Sequence, residues 1–76
     1  MNELYAASEG RALGVLRSDV PRGWAVSVTL IGPRRQVRLR IWKVGVASYV
    51  VAAPTLARAV REMEVEVGGF GAMSAG

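Results

Sequence analysis

The sequence predicts an α+β domain: a small antiparallel sheet of three, or at most four, strands with a C-terminal amphipathic helix packed on one face. Three observations predict it. Two neighbouring segments in the middle of the chain alternate apolar and polar residues, the period of a half-buried strand. Short glycine- and proline-containing turns separate the strand segments, which favours antiparallel neighbours. A last apolar stripe then repeats with helical spacing. The chain has 76 residues, enough for one domain. A domain this small buries only about 60 % of its unfolded surface, so an enclosed active site is not expected and a partner or a second copy is attractive.

The elements follow in order. Leu4, Ala7, Ala12, Val15 and Leu16 fit a first helix, although Gly10 and Gly14 each cost it about 1 kcal/mol. The competing pattern is a short helix to about Ser8 and a strand from Ala12 to Arg17, with Ser18 to Gly23 as a hairpin loop. The helical version is preferred and gives the order α-β-β-β-α. Trp24 to Ile31 reads as a strand, with Trp24 in the apolar phase. Gly32-Pro33-Arg34-Arg35 is a turn signal. Gln36 to Lys43 alternates more cleanly: Val37, Leu39 and Ile41 point one way, Arg38, Arg40 and Trp42 the other. Gly45 permits a tight bend, and Val46 to Ala53 forms a third strand. Leu56, Ala59, Val60, Met63 and Val67 make one helical stripe, with Thr55 as N-cap and Gly68-Gly69 as the stop. The expected organisation is a single basic domain over residues 1–67 and a flexible glycine-rich tail over 68–76, in which Phe70 is either a staple folded back on the helix end or a small docking anchor.

The distribution of charge is more informative than its sum. The net charge is +4 and nine of the ten basic residues are arginine, a bias that GC-rich coding explains as well as guanidinium chemistry does. Between Val20 and Arg61 there are eight basic residues and no acid, while all six acids lie outside: Glu3, Glu9 and Asp19 before, Glu62, Glu64 and Glu66 after. This concentrates a positive field on the sheet and the start of the last helix. Arg34, Arg35, Arg38, Arg40, Trp42 and Lys43 are the candidate binding residues. Guanidinium forks and a flat indole suit phosphates and stacked bases. The same residues also describe a solvated strand face, or an anchor for an acidic protein surface.

Catalytic chemistry is sparse. The chain has no cysteine and no histidine, so thiol nucleophiles, disulfides and the commonest general base and metal ligand are missing. The five serines have no histidine to activate them. Gly10-Arg11-Ala12-Leu13-Gly14 lacks the Gly-Lys-Ser/Thr ending of a phosphate loop. Glu62 and Glu66 share a helix face, but solvated charge is their simpler role. No enzyme activity, metal or cofactor is expected. The acidic start and the short apolar runs predict neither a signal peptide nor a membrane span, so the expected setting is cytoplasmic.

Three resemblances bear on function. The α-β-β-β-α order, with the Gly32-Pro33 turn between the first two strands, resembles the double-stranded-RNA-binding domain. The last helix of that family opens with a lysine cluster; here Thr55-Leu56-Ala57-Arg58 offers one base. The portion from Trp24 to Met63 looks like the arm-site DNA-binding domains of phage integrases, which implies Arg38, Arg40 and Trp42 as the groove-facing set. Tyr49 to Val60 is similar to small antitoxin domains. In size alone the chain is also similar to phage-encoded inhibitors such as anti-CRISPR proteins. The leading expectation is a non-enzymatic nucleic-acid-binding module. The alternatives are an inhibitor or antitoxin-like adaptor bound to an acidic or nucleic-acid-handling protein, and a structural homo-oligomer, a homodimer among them, whose interface is a sheet face or edge.

Overall fold

In a computed structural model of the chain, residues 3–73 are described. Their order is helix α1 (Glu3–Asp19), strands β1 (Ala25–Ile31), β2 (Gln36–Lys43) and β3 (Ala47–Ala53), then helices α2 (Leu56–Glu66) and α3 (Phe70–Met73). The strands form one antiparallel sheet in the order β1-β2-β3. It has three strands, and the segment 12–17, the candidate for a fourth, is helical. Both glycines that weakened the helical reading sit inside α1. Their cost is offset because Ala12 and Leu16, on one face of that helix, are buried in the core. The side chains of Leu4 and Ala7 lie outside the described ones.

The register of each hairpin follows from its turn. Ile31 pairs with Gln36, so Gly32 to Arg35 make a four-residue loop that contains a cis Gly32–Pro33 peptide. Lys43 pairs with Ala47, and the amide of Val46 donates to the Lys43 carbonyl at 3.0 Å. Gly45 has φ +79° at the third position of that turn, which a type II turn requires and a β-carbon resists.

Because side chains alternate along a strand, these registers fix two faces. Val37, Leu39 and Ile41 lie on the helix side, and none is more than 1 % exposed. Helix α2 packs over β2 and β3, and α1 packs against α2. Of the expected stripe, Leu56, Ala59, Val60 and Met63 are buried beneath it, and Val67, its C-cap, is half-buried. Leu56 and Met63 together contribute roughly 3–6 kcal/mol by burial. Trp24 and Tyr49 are half-buried against this core, their ring centroids 6.2 Å apart.

The ends of α2 are set by local hydrogen bonds. The Thr55 hydroxyl oxygen accepts from the Arg58 amide at 3.2 Å, capping an otherwise free donor. At the other end the amides of Gly68 and Gly69 donate to the carbonyls of Val65 and Glu64 at 3.1 and 2.7 Å. This crossed pair is a Schellman motif, and it needs the left-handed backbone that glycine allows. The turn redirects the chain into α3, whose Phe70 and Met73 are buried in the core. The packed unit therefore extends past the expected boundary at Val67. Phe70 does fold back, but as a core residue joined by Met73. Residues 74–76 of the expected tail lie outside those described.

Nothing stands within 4 Å of where a β-carbon would lie on Gly10 or Gly14. Gly10→Ala and Gly14→Ala are each expected to raise stability by about 0.5–1 kcal/mol through backbone entropy alone. Urea denaturation measures this. A loss of stability in either variant would mean that α1 is not helical there.

Candidate functional site

The sheet has one face under the helices and one without a helix over it. On the open face, Gln36, Arg38, Arg40 and Trp42 run along the central strand β2. Beside Arg38, Arg40 and Trp42 the cross-strand neighbours are shorter: Thr29, Ser27 and Ala25 on β1 and Ala52, Val50 and Ser48 on β3; the larger Ile31 stands beside Gln36. A ridge of long cations thus stands between two low, partly hydroxylated flanks. Arg38 and Arg40 are exposed and Trp42 is half-buried.

The Arg40–Trp42 pair is a defined unit. The guanidinium carbon of Arg40 lies 4.5 Å from the Trp42 ring centroid, within cation–π range. The Nε of Arg40 donates to the Ser48 hydroxyl at 3.4 Å, a long bond that orients the fork and adds little energy. Stack and bond together hold the guanidinium plane over the indole. Among the described residues no carboxylate pairs with either amino end of the fork. Arg38 stands two residues away, about 6.8 Å along the strand.

The electrostatics of this face are one-signed. Among the described residues the ion pair present is Arg58–Glu62 on α2, at 3.1 Å, exposed and therefore worth only a few tenths of a kcal/mol. No carboxylate among them neutralises Arg34, Arg35, Arg38 or Arg40. Two such charges about 7 Å apart repel by roughly 0.6 kcal/mol in water, a small cost that an arriving polyanion reverses. A face meant only for solubility would mix both signs.

The sequence-predicted residues divide into three groups. Arg38, Arg40 and Trp42 share the open face as expected. Arg34 and Arg35 lie exposed on the turn before β2, beyond the Gln36 end of the ridge. Arg35 has φ +51°, a left-handed backbone that costs a non-glycine residue about 1 kcal/mol. Lys43 does not join them. It shares the phase of Val37, Leu39 and Ile41, and its Nζ lies near Gly23, on the helix side. Its position as an odd-numbered residue of an alternating strand already carried that information. Arg58 and Arg61 stand on the exposed side of α2, in the layer that packs on the opposite face.

Ser27, Thr29 and Ser48 were not singled out from sequence. The turn lengths were the available signal: pairing Ile31 with Gln36 sets Thr29 beside Arg38 and Ser27 beside Arg40. Among the described residues no group of three or more Asp, Glu, His or Cys is placed to hold a metal ion. No helix among them is long and apolar enough to cross a membrane. The chain matches no protein-family model, no curated protein and no solved structure.

Proposed function

We propose that this protein is a non-enzymatic nucleic-acid-binding module that uses the open face of its sheet. The observation that carries the reading is the grouping of Arg38, Arg40 and Trp42 on one exposed plane, with the Arg40 fork stacked on the indole and no carboxylate among the described residues to neutralise it. Arg38 and Arg40 contact phosphates, Arg34 and Arg35 extend the contact past the end of the sheet, and Trp42 with its stacked guanidinium supports a base. The low flanks of Ser27, Thr29 and Ser48 let a strand lie flat on the ridge and add hydroxyl donors. Lys43 has no part in this set. The reading places the protein in the cytoplasm and needs no cofactor.

The test is a salt titration with labelled single-stranded and duplex oligonucleotides, comparing the parent with Arg38→Ala/Arg40→Ala. Each lost phosphate contact should reduce the log–log salt slope by about 0.7–0.9, so the double variant should lose about 1.4–1.8. Equal affinity and slope in parent and double variant on both ligands would reject the proposal.

A second reading is an inhibitor or adaptor that meets an acidic protein surface. The packed Arg–Trp pair favours it, since these residue types dominate protein hot spots. Partner capture that survives nuclease treatment and is lost in the same double variant separates it from the first.

A further inference from the structure

The outer edge of β1 is unprotected. Its residues are Ala25-Val26-Ser27-Val28-Thr29-Leu30-Ile31, with no charge and no proline. It pairs with β2 at every position without a bulge. Proteins blunt free edges with those three devices, because an edge presents unmet amide and carbonyl groups to any strand of matching pattern. β1 has a second exposed feature. Val26, Val28 and Leu30 occupy its helix-side face, opposite Ile41, Leu39 and Val37. Yet they are 39, 41 and 67 % exposed, because α2 covers β2 and β3 and stops short of β1. The other edge differs: on β3 the equivalent row, Tyr49, Val51 and Ala53, is half-buried or buried. Beside the β1 row, a groove of about 450 Å³ runs between α1 and β1, lined by Leu13, Val20, Trp24, Val26 and Val28 among others.

We infer that β1 is the interface of a homodimer, in which two copies pair antiparallel across a two-fold axis at Val28. The strand is its own complement in that register. Val28 faces Val28 of the second copy, Val26 faces Leu30, and Ser27 faces Thr29. Apolar residues meet on the helix side and hydroxyls on the open side. Leu30, the most exposed of the row, is brought beside Val26 at the groove of the other copy, so each molecule fills the recess of its mate. A specific interface needs about 1,000 Å² in total, and the seven-residue edge, the exposed apolar row and the adjoining groove are the contiguous surfaces that would supply it. The product is a continuous six-stranded sheet. It carries two Arg38–Arg40–Trp42 ridges on one face, about 14 Å apart at three strand spacings. The strand itself carries no charge, so added salt should leave the dimer intact. Pairing with an acidic strand of another protein would weaken in salt. The inference stands on β1 alone and holds whether or not the open face binds nucleic acid.

Sedimentation of the full chain without nucleic acid, from low to high micromolar concentration, tests it. The parent should reach twice its 8.1 kDa. Val28→Lys, which opposes two cations across the axis, should raise the dimer dissociation constant about a hundredfold. Leu30→Lys, at a site too exposed to endanger folding, should do so as well. Val50→Lys, on β3, should leave the dimer intact. The register is read separately, because the chain has no cysteine of its own. Val28→Cys should oxidise to a cross-linked dimer, its α-carbons lying within the roughly 4.4–6.8 Å that a disulfide spans. Val26→Cys alone should not, but mixed with Leu30→Cys it should. A parent that stays monomeric throughout, a dimer that persists in both lysine variants of β1, or one lost in Val50→Lys would overturn the inference.

Discussion

Leu39→Ala is expected to lower stability by about 2–5 kcal/mol, the cost of the lost apolar burial plus the cavity left behind. Leu39 has no exposed surface. It sits at the centre of the middle strand, with Val28 and Val51 as its cross-strand neighbours and the buried stripe of α2 in the same core. For a chain of this length the whole folding free energy is about 4–11 kcal/mol, and a small domain belongs toward the low end of that range. One truncation therefore removes from a fifth to all of it. In urea, with a slope near ~1 kcal/mol per molar, the midpoint should fall by roughly 2–5 M or the folded baseline should vanish. Leu39→Met, which conserves volume, should cost under about 1.5 kcal/mol. A shift of only a few tenths of a molar in Leu39→Ala would contradict a core centred on this strand.

The second large effect separates stacking from charge on the open face. Arg40→Lys keeps the cation but loses the planar fork over Trp42 and the bond to Ser48. Trp42→Ala removes the platform and leaves both arginines in place. Base stacking on such a platform is worth about 1–3 kcal/mol, so single-strand affinity should fall roughly 5- to 150-fold in Trp42→Ala. The salt slope should stay at the parent value, since no phosphate contact is lost. Arg40→Lys should follow the same pattern with a smaller fall. Fluorescence titration at several salt concentrations reads both quantities. If Trp42→Ala instead lowers the slope as Arg38→Ala/Arg40→Ala does, the indole acts only by positioning Arg40 over phosphate. If it changes neither, Trp42 is a structural residue.

How much of this was legible from sequence differs by element, for physical reasons. The strand 36–43 and its two faces were legible because Val37, Leu39 and Ile41 alternate with Gln36, Arg38 and Arg40, and Lys43 alone breaks the pattern. Helix α2 was legible from Thr55, its stripe and the two glycines, each of which acts locally. Helix α1 was ambiguous because its glycines disfavour it by local propensity. What decides the matter is the burial of Ala12 and Leu16, a tertiary term no local pattern contains. Phe70 and Met73 follow a glycine pair that also marks loops, so their return to the core depends on the Schellman geometry. Of the candidate site, the open-face trio could be read from strand parity alone. The same parity shows that Lys43 belongs to the other side. The uncovered row on β1 could not be read. Its pattern matches that of a covered strand, and only the width of the helical layer leaves it exposed.

The sheet topology also bears on how fast the domain assembles. Every strand pairs with its immediate neighbour in the chain, through loops of four and three residues, so the meander closes by short steps that cost little loop entropy. Low contact order of this kind goes with rapid folding. The contact of α1 with α2 is the exception, since it joins segments separated by the whole sheet. It carries the largest loop-closure cost, so the amides of α1 should exchange with solvent through local opening before those of β2, which wait for global unfolding; equal protection in a hydrogen-exchange measurement would contradict this.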